Sequence, residues 1–403
     1  MNKFLFILIG LGLYIQAILP CTTAVISGKC TVDGRPLLFK HRDTGFAQNK
    51  LMYFDDGKFE YIGLVNAKDS TGNEVWAGFN HAGFGIMNSE AYNLNIGDTA
   101  KLRDMEGVLM KRALQECATL AEFELFLDNY ARPRGVRANF GVIDAQGGAA
   151  YYETGHDKWV KFDANDPAQA PSGYLIRTNF AMSGVPDKGY GYIRYQTTRD
   201  LFQQQSDSVS LDHIFITQQV SRSLKHSLLK HDLSADPPGA STEPYYVFFE
   251  DYIPRYASAA TTVVQGVKAG ETPRLTTLWT ILGFQLCSVT IPVWLNDARK
   301  LPAVLIGVSA TNAPLCDYAL QLKQKCFPVT RGSGKRYLNL AAVFNRNGSG
   351  ILQRVLPIEA EILTKSDKVL KELRANPSNQ QKILQFYDWI DLFVKNSYVR
   401  LLK

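Results

Sequence analysis

The stretch Cys21-Thr22-Thr23-Ala24-Val25-Ile26-Ser27 is β-rich, Val32-Asp33-Gly34-Arg35 has the composition of a tight hairpin turn, and Pro36-Leu37-Leu38-Phe39 resumes a strand. A strand that starts at Cys21, with a second folding back beside it, returns Lys40-His41-Arg42-Asp43 to the neighbourhood of Cys21. A carboxylate there can hold an α-amine in position, and a cation there stabilises a thiolate. Taken alone, the charged run has the character of a solvated strand end.

Upstream of Cys21 the chain reads as a secretion leader. Met1-Asn2-Lys3 carries one positive charge, residues 4–15 are apolar, and Gln16-Ala17-Ile18-Leu19-Pro20 follows. The apolar run has the length of a signal-peptide core and falls short of the roughly 20 residues needed to span a bilayer. Removing residues 1–20 would make Cys21 the first residue of an exported chain, periplasmic or extracellular. Ala17 is the candidate peptidase site, and cleavage there leaves Ile18-Leu19-Pro20 to be removed autocatalytically or by another protease. An N-terminal cysteine carries thiol and amine together. An α-amine titrates near 7.7–8.0 and a free thiol near 8.5, so one residue supplies nucleophile and base (both values being approximate). Two other readings compete. Cys21 could be the acylated cysteine of a lipid-anchored binding protein, although Leu19-Pro20 lacks the small residues such a site wants. It could also be a disulfide partner in an oxidising compartment.

The 403 residues suffice for one large domain or two ordinary ones, and 46% hydrophobic with 20% charged content is that of a soluble globular protein. Net charge is +6, but the cations are dispersed, which argues against a nucleic-acid partner. Stable membrane insertion is not expected, and a homo-oligomer is left open. The cysteines at 21, 30, 117, 287, 316 and 326 form no CxxC pair and have no histidine at ligand spacing, so a structural zinc is not expected, and catalysis by an N-terminal cysteine needs no metal or organic cofactor. Cys316 and Cys326 are spaced to close a short loop by a disulfide.

Strand patterns recur at residues 61–65, 74–78 and 84–88, with Asn80-His81-Ala82-Gly83 as a turn. Helices are expected over 104–115 and, from the capping box Thr119-Leu120-Ala121-Glu122, to 129. Strands return at 139–143, 149–153 and 173–179. Helices are predicted over 194–204 and 211–229, strands over 261–267, 276–280 and 285–292, and helices over 359–402, broken at Asn376-Pro377-Ser378. Strands, helices, strands and helices in blocks, without βαβ alternation, indicate an α+β fold with stacked antiparallel sheets. No linker divides the chain, so 21–403 is expected to be one domain with a helical extension at about 357–403.

Cys-Thr at the mature start, Asp33-Gly34-Arg35-Pro36-Leu37-Leu38 and a charged stretch ending in Asp43 together resemble the N-terminal-nucleophile cysteine hydrolases. The nearest groups are choloylglycine hydrolases, penicillin V acylases and isopenicillin N acyltransferase-like amidases. Gly78-Phe79-Asn80-His81-Ala82-Gly83-Phe84-Gly85-Ile86-Met87-Asn88 is similar to the family's strand pair ending in an oxyanion-hole asparagine. Asn139 to Asp144 with Tyr152-Glu153 resembles the acyltransferase-like branch. Arg177-Thr178-Asn179-Phe180 looks like the segment of the second active-site asparagine, and Arg194 sits where these proteins keep a late arginine. The likeness runs from residue 21 to about 295. It departs at Lys40, where choloylglycine hydrolases show arginine, and at the longer hairpin through Gly28-Lys29-Cys30-Thr31.

The resemblance implies a four-layer αββα sandwich and a hydrolase acting on carbon–nitrogen bonds in linear amides, with a small-molecule N-acyl amide as substrate. Cys21, Asp43, Asn88, Asn179 and Arg194 are the candidate catalytic residues, with Lys40 or Arg42 as the cation beside the thiolate. Asn88 suits an oxyanion donor because its neutral N–H needs no deprotonation. Asn179 would hold the α-amine or the substrate amide, and Arg194 would support the site through its charge. A conventional cysteine–histidine hydrolase or acyltransferase using His41 or His81 is the remaining alternative. Tyr92, Phe140, Tyr151, Tyr152 and Phe180 would suit an apolar acyl pocket, although aromatics at such positions are more often core.

Overall fold

A computed structural model describes residues 21–206, 211–239 and 243–403. The leader reading of residues 1–20 lies outside the described residues. The first half of the chain carries β1 (Thr22–Ile26), β2 (Leu37–Asp43), β3 (Asn49–Phe54), β4 (Tyr61–Asn66), β5 (Ala77–Asn80) and β6 (Gly85–Glu90). Then come α1 (Glu106–Glu116), α2 (Leu120–Asn129), β7 (Ala138–Ile143), β8 (Ala149–Thr154), β9 (Trp159–Asp163), β10 (Tyr174–Arg177) and α3 (Tyr192–Ser206). The second half holds β11 (Lys225–His226), β12 (His231–Asp232), β13 (Tyr246–Phe248), β14 (Ser258–Gln265), β15 (Thr277–Leu282) and β16 (Ile291–Val293). It closes with α4 (Pro314–Cys326), β17 (Tyr337–Asn339), α5 (Leu340–Val343), α6 (Ile351–Ala375) and α7 (Gln380–Leu402).

Two antiparallel sheets dominate. One has six strands in the order β10-β1-β2-β14-β15-β16, and the other is a seven-stranded meander from β3 to β9. They stack face to face around Val25, Leu38, Met87 and Tyr151. A side chain at Gly141 would come 2.3 Å from Met87 and 2.8 Å from Val25, so the close approach of the sheets requires glycine there. Helices α1 and α2 cover the outer face of the meander through Leu109, Leu114 and Phe123 against Phe140 and Tyr152. Helices α3, α4 and α6 lie on the outer side of the six-stranded sheet. This is the four-layer αββα arrangement that the resemblance implies. Among the described residues no helix is long and apolar enough to cross a membrane.

Several expectations need correction. Lys40, His41, Arg42 and Asp43 are not a solvated strand end: β2 runs through Asp43, and all four are buried between layers. The helix expected over 211–229 shrinks to one wide turn, Phe215–Val220. It stops because Ser221 bonds Thr261 at 2.7 Å and Arg222 is drawn to Glu359 at 2.6 Å, partners that a continued helix would not reach. The strand expected at 285–292 is a tight turn, Gln285–Cys287, before β16. Cys316 and Cys326 are both free. They sit on one helix, about 15 Å apart at 1.5 Å per residue, whereas a disulfide needs Cα atoms within about 7 Å. Cys326 instead faces Cys287, with Sγ atoms 3.4 Å apart.

Candidate active site

The register of β1 on β2 sets the site. Thr22 lies opposite His41 and Thr23 opposite Lys40, so Cys21 falls at Arg42. Strand alternation places Cys21, Thr23, Lys40 and Arg42 on one face and Thr22, His41 and Asp43 on the other. The first face meets the meander, where the Tyr151 hydroxyl donates to Thr23 at 2.8 Å. The second meets the helical layer, where Arg194 donates to Thr22 at 2.8 Å.

Cys21 is 8% exposed and opens on a cavity of about 830 Å³. The cavity exists because β6 outruns β5. Their pairing ends at Ala77 opposite Met87, so Asn88 and Glu90 project beside an opening in the meander, into which Lys40 and Arg42 reach. The wall contains Cys21, Lys40, Arg42, Asp43, Trp76 and Asn88, with Glu74, Asp104 and Glu106 on its far side. The Cys21 thiol lies 3.9 Å from the carbonyl oxygen of Asp43.

Lys40 Nζ donates to the Asn88 Oδ1 at 2.5 Å and to the Trp76 carbonyl at 2.8 Å. Arg42 donates to Asn49 and, at 2.8 Å, to Asn66, and its guanidinium lies 4.9 Å from the Trp76 ring centre. Both cations face Cys21 across the strand pair. Burial pushes the Lys40 ammonium down to about 7, and the field of Cys21 acts against that shift. Burial likewise lowers Arg42 to about 10, with Cys21 and Glu74 opposing. On the far wall, burial raises the Glu106 carboxyl to about 7.

Asp43 accepts from Ser258 Oγ at 2.6 Å and from Arg255. Its carboxylate is therefore fixed and fully buried, on the face of β2 that carries His41. Arg194 is fully buried. It donates to the Cys21 carbonyl at 2.6 Å and to Asn179 Oδ1 at 3.1 Å. Asn179 in turn donates to the Glu90 carbonyl at 3.0 Å. Asn179 thus braces Arg194 against the end of β6 and is not part of the cavity wall. Burial lowers Arg194 to about 9, which still leaves it a cation near neutral pH.

His41 stands on the wrong face for a cysteine–histidine pair. Its Nε2 meets Ser258 Oγ at 2.8 Å, and burial pushes it down to about 4, so it is neutral. His81 is exposed in its turn and outside the wall. Of the aromatic candidates, Tyr92 lines the cavity, whereas Phe140, Tyr151 and Tyr152 are core and Phe180 stacks on Tyr192 at 4.4 Å. The cavity wall is mixed in character, with Phe46, Trp76, Tyr92 and Tyr190 standing beside its charged groups.

Sequence reasoning missed Arg255, Ser258, Trp76 and Glu106. Arg255 had one signal, a lone cation in the aromatic stretch Tyr252-Ile253-Pro254-Arg255-Tyr256. The resemblance motifs at Glu153 and Arg177 turn out to be partners, a buried ion pair at 2.6 Å that joins the two sheets.

No family model matches the chain, and no curated protein matches it. Among solved structures it is similar to a mutant of the conjugated bile acid hydrolase from Clostridium perfringens, at 11% identity and a TM-score of 0.39, covering 70% of this chain and 93% of that one. It is also similar to penicillin V acylase from Agrobacterium tumefaciens, at 10% identity and a TM-score of 0.34, covering 68% of this chain and 86% of the other.

Proposed function

We propose that this protein is an exported amide hydrolase whose nucleophile is Cys21, acting as the first residue of the mature chain. The observation that carries this reading is the convergence on Cys21. Its thiol opens on the cavity beside Asn88, two buried cations share its strand face, and Arg194 fixes its carbonyl.

In this mechanism the free α-amine of Cys21 takes the thiol proton, and the sulfur attacks the carbonyl carbon of an N-acyl amide. The negative charge that develops on the carbonyl oxygen is met by the Asn88 N–H and a backbone N–H. The ammonium then gives its proton to the departing amine, and the carbon–nitrogen bond breaks to leave a thioester on Cys21. Water, deprotonated by the same amine, releases the acid and restores the thiol. Asp43, anchored by Arg255 and Ser258, supplies the carboxylate that steadies the ammonium.

The test is turnover of an N-acyl amide panel by Cys21→Ala and Cys21→Ser. Cys21→Ala removes little buried volume and should keep the melting temperature while losing hydrolysis. Cys21→Ser should leave only a trace, because a hydroxyl is far less ionised than a thiol near neutral pH. Hydrolysis retained by Cys21→Ala contradicts the reading. Mass spectrometry of the mature N-terminus separates it from the lipid-anchored alternative, since one carries a free cysteine and the other a diacylglyceryl-cysteine.

A further inference from the structure

The carboxamide of Asn88 serves an oxyanion in one orientation only, with nitrogen toward the cavity. Nothing in its own shape enforces that, because the two ends of a carboxamide are nearly the same size. The enforcement comes from Lys40. An ammonium has three donors and no acceptor, so the 2.5 Å contact from Lys40 Nζ can be made only to the oxygen of Asn88. The nitrogen is thereby turned the other way, and it has no hydrogen-bond partner among the described residues. Lys40 cannot swing clear: its second donor is tied to the Trp76 carbonyl at 2.8 Å, and only 1% of the residue is exposed.

We propose that Lys40 is a positioning residue that acts through Asn88, and that loss of its proton lets the carboxamide turn over and withdraws the oxyanion donor. The proposal rests on the reading in which Asn88 serves the oxyanion. A neutral amine keeps two N–H donors and gains one lone pair. The lone pair can accept from the Asn88 nitrogen while an N–H still serves the Trp76 carbonyl, and the released proton leaves through the cavity. The reversed carboxamide then aims its oxygen at the place where negative charge develops, which repels that charge.

Burial brings the Lys40 titration down to about 7. The groups that bear on it come from each neighbouring element. Arg42 on its own strand favours the neutral amine, and Cys21 on β1 and Glu106 on α1 favour the ammonium. Trp76 presents its ring, 5.8 Å from Nζ. Asp43, Glu74, Glu90, Asp104, Arg137 and Lys188 are the other charged groups of the surrounding wall, with Glu90 and Arg137 paired at 2.7 Å.

The experiment is the pH dependence of kcat and KM for the mature protein, Asn88→Ala, Lys40→Met and the double variant, with melting temperatures on the same preparations. The mature protein should lose kcat as pH rises through about 7, KM changing little, and this alkaline limb should be absent from Asn88→Ala. Lys40→Met should lower kcat by about 10²–10³, the cost of one oxyanion donor. In the Asn88→Ala background the same change should cost less than about twofold, because residues acting as one unit are not additive. Should Lys40→Met fail to fold, the comparison of pH profiles between the mature protein and Asn88→Ala decides alone. An equal cost of Lys40→Met in both backgrounds, or an alkaline limb that survives in a slow Asn88→Ala, overturns this proposal and leaves the oxyanion reading standing. Unimpaired turnover in Asn88→Ala overturns both.

Discussion

The Nη1 of Arg194 lies 2.6 Å from the carbonyl oxygen of Cys21, although the two residues are 173 positions apart. The same guanidinium holds Thr22 Oγ1 at 2.8 Å and Asn179 Oδ1 at 3.1 Å. A planar fork with three fixed acceptors sets both the position and the orientation of the peptide that follows the nucleophile.

Gly191 leaves the space that the Arg194 guanidinium occupies. The glycine has φ of +82°, and a Cβ there would come 2.1 Å from Arg194 Nη2. Gly191→Ala should displace the guanidinium without touching substrate. Its kcat should fall by at least tenfold with a smaller change in KM, and Arg194→Lys, which keeps charge but loses the fork, should behave alike. Each leaves buried acceptors short of a donor, which costs about 1–3 kcal/mol and should lower the melting temperature. Normal kcat in Gly191→Ala would show that the clamp does not position Cys21.

Asn88 tests the oxyanion assignment. Asn88→Ala should reduce turnover by about 10²–10³ with a near-normal KM, and it should also lower the melting temperature, because buried Lys40 loses an acceptor. Asn88→Asp should be at least as damaging, because a carboxylate repels the charge it ought to stabilise. A strand-end cap would lose stability and retain turnover, so kcat per folded molecule decides.

Far from the cavity, Glu359 on α6 accepts from Arg222 at 2.6 Å and from the Thr290 amide at 2.6 Å, and it is fully buried. Burial pushes this carboxyl up, but Arg222 and Thr290 outweigh that and hold it below its ordinary value. A depressed folded-state value means stability that is present above the unfolded value of about 4.3 and lost as pH falls through the folded one. Glu359→Gln should therefore lower the melting temperature at pH 7, by an amount reflecting about 3–5 kcal/mol for a broken buried pair. It should also flatten the acid side of the melting curve against pH, while turnover per folded molecule at low temperature stays normal. An unchanged melting temperature would mean that the pair does not fasten α6 to the core.

Much of this was legible in the sequence. The β1–β2 hairpin, the turn at Asn80 to Gly83 and the capped start of α2 at Thr119 are written in local residue chemistry, and the Glu122 amide does donate to Thr119 Oγ1 at 3.1 Å. What escaped depends on contacts remote in sequence. Lys40 to Asp43 looks like a charged strand end until the meander and the β14 segment supply Asn88, Asn66, Ser258 and Arg255 as partners. The helix expected over 211–229 is overridden by the burial of Arg222 against Glu359. The sequence also could not say whether Lys40 or Arg42 faces the thiol. Strand alternation answers that both do, since they are two residues apart on β2.

If the Cys21 amine serves as the base, hydrolysis requires that amine to be free. Turnover of the N-acyl amide panel is measured for the chain beginning at Cys21 and for the same chain locked with Ile18-Leu19-Pro20 ahead of it. In the locked form the Cys21 nitrogen is an amide and cannot take a proton. Equal melting temperatures are expected, with hydrolysis by the free form and none by the locked one. Full turnover by the locked form would contradict a base role for the amine.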